Sequence, residues 1–210
     1  NKVKMQSTGS ISSKTQTNYT NNPTVVRPTI IEQSFLIDTN FNNLIINEII
    51  SSVISLFNEN TLSYNPTNQL LNYYKLSQET KQNVISKLQA IGNSTGTKLS
   101  LNFNKNSNMS QLMVMKYVCK EVYHNICGRQ MDALKTNHQG IYYLLDKQLL
   151  ANSTIHFDKS LQYYNANENE EQSECLQLYP IFIASVIQGF LDKEVTFSIE
   201  NGIITYIIKY

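Results

Sequence analysis

Cysteine is scarce in this chain: Cys119, Cys127 and Cys175 are the three present, they form no CxxC pair, and their number is odd. That pattern argues against a secreted disulfide framework and for a reducing, cytosolic compartment. Charge of either sign is missing in excess. A formal net charge of +1 gives no strong field for nucleic acid or membrane. No signal-peptide apolar region stands near the start. The longest apolar stretch, Tyr179 to Leu191, is interrupted by Pro180 and Gln188. It falls short of the ~20 apolar residues a bilayer span requires, so a soluble chain without a transmembrane segment is expected. Phosphate-binding glycine loops, HExxH, GxSxG and paired-cysteine zinc patterns are all absent, which leaves no catalytic, metal or cofactor site to nominate.

What is present suits one compact α+β domain. Of the 210 residues, 41% are hydrophobic and 16% charged, enough to build a core without metal or disulfide staples. Residues 1–31 are rich in Ser, Thr, Asn and Gln, carry Lys2, Lys4, Lys14 and Arg27, and contain no acid. Without apolar periodicity they read as a disordered, basic tail. The domain is expected over residues 35–210.

Leu44, Ile45, Glu48, Ile49, Ser52, Val53, Leu56 and Phe57 recur at helical spacing within a first helix over 35–57, with Asn and Ser expected on its other face. A second helix is expected over 77–101 with Ser77 as its N-cap. Gly92 and Gly96 lie one turn apart inside it. Each glycine costs ~1 kcal/mol there relative to alanine, so the pair implies close approach of another backbone. A third helix is expected over 110–135. Leu112, Met115, Cys119, Val122 and Ile126 form its stripe, widened by Met113, Val114, Tyr117, Val118 and Tyr123. A helix apolar nearly all round is either central or covered by a partner.

Beyond it, Thr136 to Gly140 reads as a turn, 141–145 and 149–157 as a hairpin turning at 146–148, and 165–174 as an acidic solvated loop. A fourth helix follows over 176–191. Two β-branched runs, 195–199 and 203–208, flank Asn201-Gly202, the strongest short hairpin signal. The expected order is three helices, a hairpin, a helix and a hairpin. Of the three histidines, His138 in the glycine turn is the one conceivable general base, and a turn or interface role suits it better.

The run Met115-Lys-Tyr-Val-Cys119-Lys-Glu, then Arg129-Gln130-Met131-Asp132, then Leu134-Lys135-Thr136-Asn137-His138-Gln139-Gly140 resembles the signature of the TRAPP (transport protein particle) small-subunit superfamily, in its subunit-six branch. Upstream, Leu88-x-x-Ile91-Gly92-x-x-x-Gly96-x-Lys98-Leu99 is similar to the superfamily's second-helix pattern. Leu44-Ile-Ile-Asn-Glu48 adds a weaker match in the first helix. The chain departs from the pattern at Tyr123, Cys127 and Ala133. A sister branch carries a lipid on a cysteine before the third helix, but residues 102–109 hold no cysteine here.

The resemblance implies the TRAPP small-subunit fold and a non-catalytic scaffold role. It implies heterodimerisation with the central subunit three and Rab GTPase activation by the assembled complex on ER–Golgi and Golgi membranes, with nucleotide exchange carried by other subunits. Leu44, Ile45, Glu48, Tyr117, Lys120 and Tyr123, on the first and third helices, are the expected partner surface. A lipid or small apolar ligand held within the fold is the alternative reading.

Overall fold

The structure, a computed structural model, describes residues 30–58, 70, 73–103, 109–149 and 174–210. It is α+β. Helix α1 spans Ile30–Leu56, so it begins earlier than the apolar periodicity suggested. The expected tail lies, apart from its last two residues, outside the described residues. Helix α2 spans Gln78–Leu101, and Ser77 caps it by accepting the Thr80 N–H. Lys98 stands in its last turn, where a cation complements the helix dipole.

Helix α3 is a continuous rod with a local change of winding. Gln111–Tyr117 is α-helical, Val118–Val122 forms a π-turn, and Tyr123–Cys127 is α-helical again. In the wide turn Tyr123 N–H reaches back to Val118 O. The Cys119 carbonyl instead accepts Met131 N–H at 3.1 Å, from the segment that leaves the helix. The expected continuation of this helix to residue 135 is incorrect. Gly128 adopts a left-handed conformation (φ 69°) that ends the rod. Ala133–Thr136 then forms strand β1.

The first hairpin therefore joins β1 to β2, Ile141–Asp146, around the Thr136–Gly140 turn. The sequence placed the partner of 141–145 at 149–157 instead; residues 150–157 of that segment lie outside the described residues. Helix α4, Leu178–Leu191, leads into β3, Val195–Glu200, and β4, Ile203–Lys209. Asn201 and Gly202 both have positive φ (51° and 75°), the primed turn their sequence signals. The antiparallel sheet has the order β1-β2-β4-β3. Leu144 pairs with Leu134 on one side and Tyr206 on the other, and Tyr206 pairs in turn with Phe197. Alternate residues of β2 and β4 are buried: Tyr142, Leu144 and Asp146, then Ile204, Tyr206 and Ile208. The sheet thus turns one face to the helices.

Helices α2 and α4 run parallel in backbone contact. A Cβ added at Gly92 would lie 2.7 Å from Ser185 Cβ and 2.9 Å from Phe182 O. One added at Gly96 would collide with Val186 O, and one at Gly189 of α4 would collide with Asn93 O. The glycine spacing thus has its packing reason, supplied within the chain. Thr97 Oγ1 donates to Asn93 O at 2.9 Å on the same seam. At its other end Lys81, buried, pairs with Glu174 at 2.6 Å. With its lead-in, α4 makes an 18-residue stretch, Glu174–Leu191, of mean hydropathy 1.4. It is long and apolar enough to cross a membrane, contrary to the expectation from Tyr179 to Leu191 alone. Most of it is buried in this fold against α2 and the sheet, as a core helix would be.

Alanine at Gly96 or Gly189 must push two backbones apart. Overpacking of this kind costs about 1–3 kcal/mol, or roughly 2–12 °C of thermal midpoint at this chain length. Gly96→Ala and Gly189→Ala are expected in that range by thermal circular dichroism, and together they should separate the helices. A midpoint unchanged in both variants would mean the seam is looser than described.

Candidate partner surface

Helix α1 divides its side chains by face. Asn43, Ile46, Asn47, Ile50, Ser51, Val53 and Ile54 are buried, and Asn47 Oδ1 accepts the Tyr179 hydroxyl at 2.5 Å. Opposite them, three and four residues apart, Phe41, Leu44 and Ile45 are 59%, 50% and 42% exposed, beside exposed Glu48. Spacing of this kind places them on one stripe. Leu56 extends it towards the helix end.

The third helix is mostly covered by its own chain. Val114, Met115, Val118, Cys119, Val122, Tyr123 and Cys127 are buried, so its apolar breadth does not by itself require a partner. Lys116 and Lys120 are exposed, as are Leu112 and Met113 at its start. Tyr117 is half-buried in an aromatic cluster, with its ring 4.4 Å from Phe103 and stacked at 5.9 Å on Phe190.

Tyr123 is a correction: it is fully buried and belongs to the core. Its hydroxyl donates to the Asp146 carboxylate and accepts from Arg129 Nη2 at 3.2 Å. Of the six residues expected on the surface, Leu44, Ile45, Glu48 and Lys120 are exposed, Tyr117 is partly so, and Tyr123 is inside. Phe41 was missed, although it stands three and four residues before Leu44 and Ile45. Leu112 and Met113, read as part of the broad apolar surface of α3, are exposed at its start.

Arg129 and Asp146 form the buried centre to which Tyr123 belongs. Arg129 Nη2 lies 2.5 Å from Asp146 Oδ1. Gln148 N–H (2.9 Å) and Leu149 N–H (3.0 Å) donate to the same oxygen. Asp132 accepts Lys147 N–H at 2.7 Å and Gln148 Nε2 at 3.1 Å, tying the two ends of the hairpin together. Burial pushes the Asp146 carboxyl up to about 6, against the pull of the Gln148 and Leu149 N–H groups. It also pulls the Arg129 guanidinium down, opposed by Cys127 and Asp132. All three thiols are pushed up to about 12, chiefly by burial, so none is a nucleophile at neutral pH.

The motif residues Thr136 to Gly140 brace a turn. Thr136 Oγ1 donates to Ile141 O at 3.0 Å and accepts His138 N–H at 3.1 Å. Asn137 Oδ1 accepts the N–H groups of Gln139 and Ile141, at 2.9 and 3.0 Å. Gly140 takes φ 86° beneath the C-terminal Tyr210, whose N–H donates to Gly140 O at 2.9 Å. His138 stands exposed at the tip with φ 59°. Gln130 is exposed beside Arg129. The signature Cys119, Asp132, Thr136, Asn137 and Gly140, with Gly92 and Gly96, is therefore explained by folding.

A family model described as "Transport protein particle (TRAPP) component" matches residues 42–200, from within α1, just after Phe41, through to the end of β3. The chain belongs to the TRAPP component family. Within the TRAPP family its similarity is to subunit six. It is 34% identical over 82 residues to zebrafish "Trafficking protein particle complex subunit 6b", covering 38% of this chain and 52% of the relative. It is 38% identical over 66 residues to human "Trafficking protein particle complex subunit 6B", covering 30% and 42%. Human "Trafficking protein particle complex subunit 6A" is 47% identical over 36 residues, 17% of this chain and 23% of the relative. The matched stretch thus spans about half the length of the first relative and less of the others.

The titration of Asp146 gives a test with a definite sign. Its folded value lies above the ordinary 3.8. Between about pH 4 and 6 the folded chain therefore holds a proton that the unfolded chain has released. The contribution of Asp146 is fully present below that window and is lost as pH rises through about 6. Urea midpoints should show the native chain gaining on Asp146→Asn when pH falls from about 7.5 to about 5. A native chain that loses ground instead would mean the Arg129 pair outweighs burial.

Proposed function

We propose that this chain is a non-catalytic scaffold subunit of a TRAPP complex, pairing with another TRAPP small subunit through the exposed stripe of α1. The observation that carries this reading is the set Phe41, Leu44 and Ile45, three large apolar side chains left in solvent along one helix face. The opposite face of that helix is well packed. Fully burying such side chains is worth about 1.5–3 kcal/mol each, and association must first overcome the loss of rotational and translational freedom. A permanent pairing therefore needs more than this stripe, and exposed Glu48 on α1 and Lys120 on α3 are the polar contacts of the proposal.

The partner we infer is the central subunit three of the family. The resulting pair would extend the platform on which other subunits activate a Rab GTPase in ER–Golgi and Golgi traffic. The chain would act there in the cytoplasm, peripheral to the membrane, with no cofactor of its own. Family membership and the likeness to subunits 6A and 6B support this reading.

Co-expression with subunit three tests the surface. A charge set in a desolvated apolar patch costs several kcal/mol unless it is paired (roughly 2–7 kcal/mol for a polar group alone). Leu44→Asp and Ile45→Asp are expected to abolish co-purification while the isolated chain keeps its helical circular dichroism. Tyr123→Asp, by contrast, should unfold the chain. If the two α1 variants fold and still bind, the partner surface lies elsewhere.

A further inference from the structure

Strand β3 is at the margin of the sheet, and among the described residues it pairs with β4 alone. An edge strand turns half of its N–H and C=O groups outward, where they can template another strand. Val195, Phe197 and Ile199 share the helix-facing side of β3, opposite Ile208, Tyr206 and Ile204. A groove of about 290 Å³ runs beside that side, walled by Ile181, Ala184 and Gln188 of α4 and by Gln89 of α2. Ile199, further along the same side of β3, is 36% exposed. Helix α4 contributes no charged side chain to this wall.

We propose that the β3 edge takes an extended segment of a partner protein by strand addition. The segment would carry apolar residues at alternate positions and a lysine or arginine at each end. An added strand would point every second side chain over the groove, which suits small branched residues, and its backbone would satisfy the outward groups of β3, which have no strand partner among the described residues. The choice of ends comes from Glu194, just before β3, and Glu200, its last residue, both exposed. The nearby cations sit elsewhere: Lys193 Nζ lies 5.9 Å from the Tyr210 ring, and Lys209 belongs to β4. The same acids argue against a second copy of this chain. Antiparallel pairing of β3 with itself about Phe197 sets Glu194 against Glu200 twice, and like charges directly opposite are destabilising.

The test uses the full chain and two fluorescein-labelled heptapeptides, Lys-Val-Thr-Val-Thr-Val-Lys and the same sequence with glutamate at both ends. Anisotropy titrations should show the lysine-ended peptide binding roughly threefold to thirtyfold more tightly, from two cross-strand charge pairs. The double variant Glu194→Lys/Glu200→Lys changes only exposed side chains, and it should invert the preference. Gln188→Trp, which fills the groove, should weaken both peptides. The proposal is overturned if neither peptide binds at millimolar concentration, or if the preference does not invert. A concentration-dependent dimer that Ile199→Pro dissolves, at a residue whose N–H faces the outer edge, would give the edge to a second copy and overturn it equally.

Discussion

Two backbones meet without side chains between them at Gly92, Gly96 and Gly189, and the remaining architecture depends on that contact. It brings α2 and α4 closer than any larger residue would permit. Since α4 runs directly into β3, and β3 pairs with β4, the spacing of the helix pair carries into the sheet. Val195, Phe190 and Val186 are buried where those elements join. Glycine in a helix interior is intrinsically unfavourable by ~1 kcal/mol. Its presence at three positions on one seam offsets that cost by closer packing. The parallel course of the two helices then leaves α1 to cover one side of the core, with its outer side unmatched.

A second constraint ties α3 to the sheet. Tyr123 of α3, Arg129 after it and Asp146 at the end of β2 form one buried polar cluster. Breaking such a cluster strands an unpaired charge, at a cost of about 3–5 kcal/mol, so the three residues stand or fall together. The π-turn contributes to it. By leaving the Cys119 carbonyl to Met131 N–H, it draws residues 128–132 back along the helix and so holds Arg129 near Tyr123.

Much of this was legible in the sequence, for physical reasons that differ by element. The Asn201-Gly202 hairpin and the Ser77 cap are local devices, and local devices read directly. Gly92 and Gly96 announced a close approach, but Gly189 is isolated and gave no spacing to recognise. Strand β1, Ala133–Thr136, is four residues long with alanine and lysine in it, so its strand preference was weak and the helix was carried through it. Gly128 was the available stop signal. Tyr123 was misplaced because a helix apolar all round hides which face is inward. Its decisive partner, Asp146, lies 23 residues away. On α1 the period was legible but the faces were not. Asn and Ser were set opposite the apolar face, yet Asn43, Asn47 and Ser51 are buried beside Ile46, Ile50 and Ile54, while Leu44, Ile45 and Leu56 are exposed. It was the family resemblance that marked Leu44, Ile45 and Glu48 as surface.

The central claim is that the outer face of α1 is where another TRAPP subunit sits. Carbene footprinting read by mass spectrometry, on the chain alone and in complex with subunit three, tests it at side-chain level. The account predicts that Phe41, Leu44 and Ile45 are labelled in the free chain and lose labelling in the complex, while Leu101, 80% exposed at the end of α2, keeps it. Unchanged labelling along α1, with protection appearing at Leu101 or on β3 instead, would contradict it.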